Sequence, residues 1–187
     1  MKKIVLLISM ACAIVGAKVT PTAPTVKDGC YSISTADELY GFAAIVNGTL
    51  EAGRAAESSA CGMLTQDILA NDTTTIECYY KKETNSKDSV YTCYKIDYEN
   101  DSKRIDIDPA TIVPHTQWTP LKNFSGRFDG QGHTIWKLEN IKDSTQNNLG
   151  FIALVSGGTE ASPVVIKDLT IRHTKFYGHD TVGGIVA

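Results

Sequence analysis

The chain has 187 residues, of which 42% are hydrophobic and 21% are charged, a size that suits one domain or one domain with an appendage. The hydrophobic content is too high for a disordered tail, and no heptad or Gly-X-Y period supports a coiled coil or collagen. The net charge of -3 argues against a nucleic-acid-binding protein, because neutralising phosphate needs clustered Lys and Arg.

Residues 1–17 have the pattern of a bacterial secretory signal peptide. A positively charged start precedes a short apolar run, and small residues follow at the expected cleavage point. The run is shorter than the roughly 20 residues of a membrane-spanning helix, so we expect no transmembrane segment in the mature chain. A lipoprotein signal acylated at Cys12 is the alternative, although Ser9 stands where such signals prefer leucine. The predicted location is therefore outside the cell, secreted or on the cell surface.

Residues 18–28 contain prolines and threonines without periodicity, which predicts an extended linker. Residues 29–72 then predict an N-terminal cap of strand, helix and strand. Thr35 and Glu38 have the spacing of a helix capping box, and an apolar stripe follows at helical spacing. Gly48 can end this helix because glycine tolerates the left-handed conformation.

Four cysteines remain after removal of the signal peptide: Cys30, Cys61, Cys78 and Cys93. An even number in an oxidising compartment predicts two disulfides. Of the three connectivities, neighbour pairing, Cys30–Cys61 and Cys78–Cys93, fits the local pattern best. Zinc ligands usually come in close pairs such as C-x2-C, which this chain lacks, so we expect no metal site. The sequence also has no P-loop and no dinucleotide fingerprint, and we expect no cofactor.

Residues 73–98 predict an inserted β-hairpin, because two runs rich in β-branched and aromatic residues flank a polar stretch. If Cys78 faces Cys93, then Tyr80 faces Tyr91, an aromatic pair that stabilises a sheet. The same register places Ile76 opposite Lys95.

Tyr79 and Tyr91 are candidate glycan-binding residues of this hairpin, since flat aromatic faces suit the apolar faces of sugar rings. The alternative is that the tyrosines are strand formers that cover the core of the hairpin itself.

Residues 99–187 begin with a connection and continue, from Trp118, as short strands that alternate with Gly, Asn and Asp turns. Residues 149–153 and 182–186 lie 33 positions apart and share the order apolar-Gly-x-Ile. A fixed period of this length is typical of stacked repeats, in which each unit buries its inner face against its neighbours.

Residues 124–135, FSGRFDGQGHTI, resemble the FxGxFDGxGHTI signature of secreted GLUG-motif proteins. Residues 150–151 and 182–186 are similar to the GLUG repeats, and residues 29–48 resemble the leader of such proteins in fibre-degrading bacteria. The positions that carry the motif are Gly126, Phe128, Asp129, Gly130, Gly132, His133, Gly150, Gly183 and Gly184.

The resemblance covers residues 29–70 and 118–187. It implies a mainly β protein, a right-handed parallel β-solenoid that is secreted or surface-bound and often adhesin-like. We expect the predicted helix to cap the solenoid, and the hairpin to interrupt it. Because such arrays usually continue through further repeats, we expect a truncated array in a fragment. If Ala187 is the genuine C-terminus, the edge left there could pair with another chain.

Asp129 and His133 are the first candidates for chemistry, as a general acid/base pair of a glycan-cleaving enzyme. The alternative, which the resemblance favours, is a turn aspartate that accepts backbone N–H bonds beside a corner histidine. Asp168, His173, His179 and Asp180 form a second polar set, but the histidine spacing is not usual for metal ligands.

The sequence therefore predicts a non-catalytic, secreted or cell-surface protein that binds polysaccharide or another cell-surface ligand. One alternative is a glycan-active β-helix enzyme, either a polysaccharide lyase or a glycoside hydrolase. The other is a structural spacer within a larger surface protein.

Overall fold

The computed structural model describes residues 18–71, 76–82, 89–97, 103–107, 116–141 and 145–187. The predicted signal peptide, residues 1–17, lies outside this part of the chain. Within it, no helix has both the length and the apolar character needed to traverse a bilayer.

The described residues form one α-helix, α1 (Ala36–Asn47), and thirteen short strands. The strands are β1 (Thr25–Lys27), β2 (Cys30–Ile33), β3 (Cys61–Leu64), β4 (Ile68–Leu69), β5 (Ile76–Lys82), β6 (Ser89–Asp97), β7 (Lys103–Ile107), β8 (Arg127–Asp129), β9 (Thr134–Trp136), β10 (Glu139–Asn140), β11 (Val165–Lys167), β12 (Thr170–Arg172) and β13 (Lys175–Phe176).

These strands pair into four small sheets. The first has the order β1-β2-β3-β8-β11, in which β1 is antiparallel to β2 and the other pairings are parallel. The second, β12-β9-β4, and the third, β10-β13, are parallel throughout. The fourth, β5-β6-β7, is antiparallel. The turns between the first and second sheets therefore lie side by side at one corner of the protein.

The fold class predicted from the sequence, a mainly β right-handed parallel β-solenoid, is wrong. The structure is a mixed α/β protein with small sheets, one of which contains both parallel and antiparallel pairs. Helix α1 does not merely cap a stack of strands, because seven of its residues are buried and several join the central core. The 33-residue similarity indicated which segments are neighbours, but it carried no information about the helix or the antiparallel strands.

Helix α1 begins and ends where the sequence predicted. The Thr35 hydroxyl accepts a hydrogen bond from the Glu38 backbone N–H (3.2 Å), and the Glu38 carboxylate accepts one from the Thr35 N–H (3.1 Å). Gly48 ends the helix in the left-handed conformation, with a φ of 69°. The apolar stripe faces inward, with Leu39, Phe42 and Val46 almost fully buried.

Part of the segment predicted as an extended linker, residues 18–28, packs against the helix. Strand β1 adds to the edge of the first sheet, and the Thr22 N–H donates to the Asp37 carbonyl oxygen (3.0 Å). The chain crosses α1 at Gly41, where a Cβ atom would overlap the Thr22 carbonyl oxygen. Glycine at this position therefore permits the close approach.

Aromatic side chains from distant segments meet in the core. Trp118 stacks on Phe151 with ring centroids 5.4 Å apart, and Phe128 meets Phe151 edge-to-face at 4.9 Å. Phe42 brings the helix into the same cluster, 5.7 Å from Phe128. Phe124, Phe128 and Ile135 of the FSGRFDGQGHTI segment are all fully buried.

The hairpin register predicted from the cysteines is confirmed for the described backbone. Cys78 pairs with Cys93, Tyr80 with Tyr91, and Ile76 with Lys95. The structure adds a third strand, β7, in a region that the sequence predicted to be a connection. It is anchored by Arg104, whose guanidinium carbon lies 4.4 Å from the ring centroid of the buried Tyr94.

The predicted disulfide between Cys30 and Cys61 is confirmed, and it joins strands on either side of α1. The side chains of Cys78 and Cys93 lie outside the described part of the structure, so that disulfide stays a prediction. The two similar segments of the C-terminal part are direct neighbours, since a parallel bridge joins Leu149 to Val182.

Candidate functional site

The predicted acid/base pair lies at the corner between β8 and β9. The connection runs through Gln131 and Gly132, which both have positive φ values of 51° and 81°. A Cβ atom at Gly130 would overlap the Asp168 carbonyl oxygen of the neighbouring turn. The Gly132 N–H donates to that same carbonyl oxygen (2.8 Å), which fixes the two turns side by side.

Asp129 accepts hydrogen bonds from three groups around this corner. Its carboxylate lies 2.8 Å from the Lys167 ammonium and accepts bonds from the backbone N–H (2.9 Å) and the side-chain amide (2.6 Å) of Gln131. The hydrogen bond from Lys167 lowers the pKa of Asp129 below its ordinary value. The same pair raises the pKa of Lys167, with a further contribution from Asp168, 3.3 Å from the ammonium.

His133 has a different carboxylate partner. Its Nδ1 atom lies 3.3 Å from the Asp67 carboxylate, which also accepts the Thr134 N–H at 2.9 Å. Asp67 precedes β4 in the adjacent turn, so this contact joins two layers of the corner. Lys167 thus favours the ionised form of Asp129, while His133 contacts a different carboxylate, that of Asp67. This arrangement suits stabilisation of the turn better than acid/base catalysis by an Asp129–His133 pair.

The second polar set does not come together as one site. Asp168 contacts Lys167, and His179 contacts its neighbour Asp180, with Nδ1 2.9 Å from the carboxylate oxygen. His173 instead stacks on Trp136, with ring centroids 5.5 Å apart. Among the described residues, no group of three His, Cys, Asp or Glu side chains is placed to hold a metal ion.

The register of the antiparallel sheet separates the two candidate tyrosines. Tyr79 pairs with Thr92, whereas Tyr91 pairs with Tyr80. Because alternate strand residues lie on opposite faces, positions 79 and 91 belong to different faces of the sheet. A flat ligand on one face would therefore meet one of these positions, and Tyr80 is the aromatic residue that shares a face with Tyr91.

The remaining glycines of the motif allow close approach of backbone segments or form backbone hydrogen bonds. A Cβ atom at Gly126 would overlap the Ala60 carbonyl oxygen, and one at Gly150 would lie 3.0 Å from the Gly183 carbonyl oxygen. Gly183 donates its N–H to the Leu149 carbonyl (2.8 Å), whereas the Gly184 carbonyl accepts from Phe151 (3.2 Å). Phe128 belongs to the core.

A cleft lined by several amide side chains was not predicted from the sequence. It has a volume of about 690 Å³ and lies beside the segments that contain Trp118 and Leu149. We call it the amide cleft, because five of its lining residues carry side-chain amides: Gln117, Asn140, Gln146, Asn147 and Asn148. Thr119 and Lys122 add a hydroxyl and an ammonium group.

Backbone groups hold several of these amides in place. The buried Asn140 amide donates to the Trp118 carbonyl oxygen (2.9 Å), and Gln117 accepts from the Ile141 N–H (2.7 Å). Asn147 accepts from the Asp180 N–H (3.2 Å). Side chains fixed in this way lose little conformational entropy when a ligand binds.

Other polar groups of the amide cleft have no partner among the described residues. They are the side-chain NH2 of Asn147, the whole amide of Asn148 and the ammonium of Lys122. All three residues are exposed, so these groups are available to a ligand. In the sequence, the run of three amide side chains at 146–148 was the one local indication of this cleft. Gln117 and Asn140 come close to that run only in the folded protein.

Comparison with protein-family models, with curated proteins and with solved structures finds no match.

Proposed function

We propose that this protein is a non-catalytic polysaccharide-binding protein that acts outside the cell, secreted or at the cell surface, and that the amide cleft binds sugar. The observation that carries the proposal is the cleft itself, with amides held by the backbone beside exposed amides without partners. The Cys30–Cys61 disulfide is compatible with export, because disulfides persist in oxidising compartments.

The chemistry of amides suits sugar hydroxyls. A hydroxyl both donates and accepts a hydrogen bond, and a side-chain amide offers two donors and an acceptor in fixed relative positions. The free NH2 of Asn147 and the free amide of Asn148 therefore provide complementary groups at adjacent positions. The volume of the cleft, about 690 Å³, lies within the range of small-molecule sites.

The same lining argues for binding without bond cleavage. Glycoside hydrolysis usually requires two carboxyl groups on either side of the scissile bond. The described residues that line the amide cleft include no carboxylate and no imidazole. At the predicted acid/base corner, Asp129 and His133 are each engaged with a different charged partner.

The test is binding to a panel of polysaccharides by affinity gel electrophoresis, with the variant Asn148→Gly. Asn148 has a φ of 57°, so glycine removes the amide without straining the backbone. Loss of its hydrogen bonds should weaken binding of a retained polysaccharide by about five- to tenfold. Asn123→Gly is the matched control, since Asn123 is also exposed with a positive φ of 48° but does not line the cleft.

Three results would contradict the proposal. The first is the absence of binding to every polysaccharide tested, and the second is equal binding by the wild type and Asn148→Gly. The third is turnover of a polysaccharide that is lost in Asp129→Asn, since that would make the protein an enzyme.

A further inference from the structure

Trp136 and Arg172 lie side by side on the outer face of the sheet β4-β9-β12, and further basic residues lie in the segments that follow these two strands. Trp136 pairs with Leu69 on one side and with Arg172 on the other. Adjacent residues of a strand point to opposite faces of the sheet. Because Ile135 is fully buried, its neighbour Trp136 and the cross-strand partners of Trp136 face outward. The indole is half-buried, and its N–H has no partner among the described residues.

Four basic residues lie close in sequence to Trp136 or to its cross-strand partner Arg172. The guanidinium carbon of Arg172 lies 5.6 Å from the Trp136 ring centroid, and the His173 ring stacks on it at an interplanar angle of 15°. Lys137 donates its N–H to the Arg172 carbonyl (3.0 Å), and Lys175 donates its N–H to the Leu138 carbonyl (3.2 Å), which keeps both residues beside the pair. We call this set, Trp136, Lys137, Arg172, His173 and Lys175, the Trp136 patch.

The positive charge of the Trp136 patch is not neutralised within the described part of the chain. Lys137, Arg172 and Lys175 form no ion pair with the described residues, although Lys175 lies in register with the buried Glu139 of β10. Arg172 and Lys175 are exposed. By contrast, Lys167 on the neighbouring sheet is paired with two carboxylates. Local uncompensated charge of this kind, in a chain whose net charge is -3, favours an anionic ligand.

We infer that the Trp136 patch binds the carboxylated sugar units of an acidic polysaccharide. This inference rests on the proposed function and specifies the class of its ligand. The exposed His173 ring, backed by the stacked Trp136, offers a flat surface to the face of a sugar, while a guanidinium and an ammonium bind its carboxylate. The row from Leu69 across Trp136 to Arg172 spans two strand spacings, about 10 Å, which is roughly the length of a disaccharide.

The experiment compares polygalacturonate with the same polymer after methyl esterification. The two polymers have the same sugar backbone, but esterification removes the negative charge of the carboxylates. The wild type should bind polygalacturonate at least about fivefold more tightly at low salt, and high salt should remove the difference. In the double variant Arg172→Gln, Lys175→Gln, the two polymers should bind equally, with unchanged affinity for the ester.

The matched control is Arg127→Gln, Lys27→Gln, which removes one exposed arginine and one exposed lysine from other strands. It should retain the preference for polygalacturonate. Thermal unfolding of each variant checks that both double variants remain folded.

The possible outcomes separate this inference from the proposed function. Equal binding of the two polymers by the wild type, with binding still weakened by Asn148→Gly, overturns the inference and leaves the proposed function standing. A preference that survives in Arg172→Gln, Lys175→Gln also overturns it. Binding to phosphatidylserine vesicles that depends on Arg172 and Lys175, without a preference for polygalacturonate, assigns the patch to membranes instead. The absence of all polysaccharide binding overturns both proposals.

Discussion

At the scale of single residues, the Asp129–Lys167 pair controls the electrostatics of the corner. The 2.8 Å contact lowers the pKa of Asp129 below 3.8 and raises the pKa of Lys167 above 10.5. A depressed carboxyl pKa stabilises the fold above pH 3.8, and this stabilisation is lost as the pH falls through the folded-state pKa. A raised lysine pKa stabilises the fold below pH 10.5 and ceases to do so as the pH rises through its folded-state pKa.

Asp129→Asn should therefore lower the melting temperature most near neutral pH and least at strongly acidic pH. The decrease should be a few degrees at most, because solvent screens the ammonium of the half-exposed Lys167. Asp168→Asn removes the longer contact of 3.3 Å and should lower the melting temperature less. Thermal unfolding at a series of pH values measures both variants. A decrease for Asp129→Asn that is as large at pH 2 as at pH 7 would contradict this explanation.

At the scale of elements, Gly41 joins helix α1 to the N-terminal segment. Alanine is about 1 kcal/mol more favourable than glycine inside a helix, so propensity alone predicts that Gly41→Ala is stabilising. The added Cβ atom would overlap the Thr22 carbonyl oxygen, however, and the contacting atom is backbone. Overpacking of this kind costs about 1–3 kcal/mol, and we expect it to prevail.

The expected result for Gly41→Ala is detachment of residues 18–24 from the helix. Limited proteolysis should then cleave this segment faster, and the melting temperature should fall. A chain shortened to begin at Thr25 is the control, since the same substitution should be neutral or stabilising there. Protection of residues 18–24 equal to that of the wild type would refute the prediction.

The antiparallel sheet provides a second test at this scale, the Cys78–Cys93 disulfide. The register places these two residues directly opposite each other on β5 and β6. A non-reducing digest analysed by mass spectrometry should contain a linked peptide pair that holds both cysteines. The Cys30–Cys61 pair in the same digest is the internal control. Alkylation of Cys78 and Cys93 without prior reduction would show that the disulfide is absent.

At the scale of the whole molecule, most features that the sequence predicted are fixed by nearby residues. The exceptions are the Cys30–Cys61 disulfide and the neighbouring segments 149–153 and 182–186. Thr35, Glu38 and Gly48 define the ends of α1 through contacts within a few positions. The hairpin register follows in the same way from two facing strands. Strand β7 was missed because its sequence, Lys103–Ile107, is mostly charged and resembles a connection.

The fold class and the amide cleft depend instead on long-range pairing. The parallel pairings connect segments that the sequence separates by a helix or a loop, and local patterns do not specify which faces they bury. Gln117 and Asn148 reach one cleft only because the Leu121–Ile152 bridge aligns their segments. The similarity between residues 149–153 and 182–186 identified neighbours correctly, yet it led to the wrong architecture because the helix and β1 follow no repeat.

The Cys30–Cys61 disulfide acts on the stability of the whole molecule. It joins β2 to β3, the strands that carry the fully buried Ile33 and Leu64, across a separation of 31 residues. A crosslink of this span reduces the entropy of the unfolded chain and contributes about 3–4 kcal/mol on the chain-entropy account.

The variant Cys30→Ser, Cys61→Ser should lower the free energy of unfolding by that amount, which corresponds to a decrease of about 10 °C in melting temperature for a chain of this size. Denaturant unfolding under non-reducing conditions measures the change. Cys78→Ser, Cys93→Ser is the matched control. If the predicted Cys78–Cys93 disulfide forms, this variant should cost less, because closing a shorter loop removes less entropy from the unfolded chain. A loss below about 1 kcal/mol in the first variant would mean that β2 and β3 are held together by their ladder and the buried side chains, with the disulfide adding little to the fold.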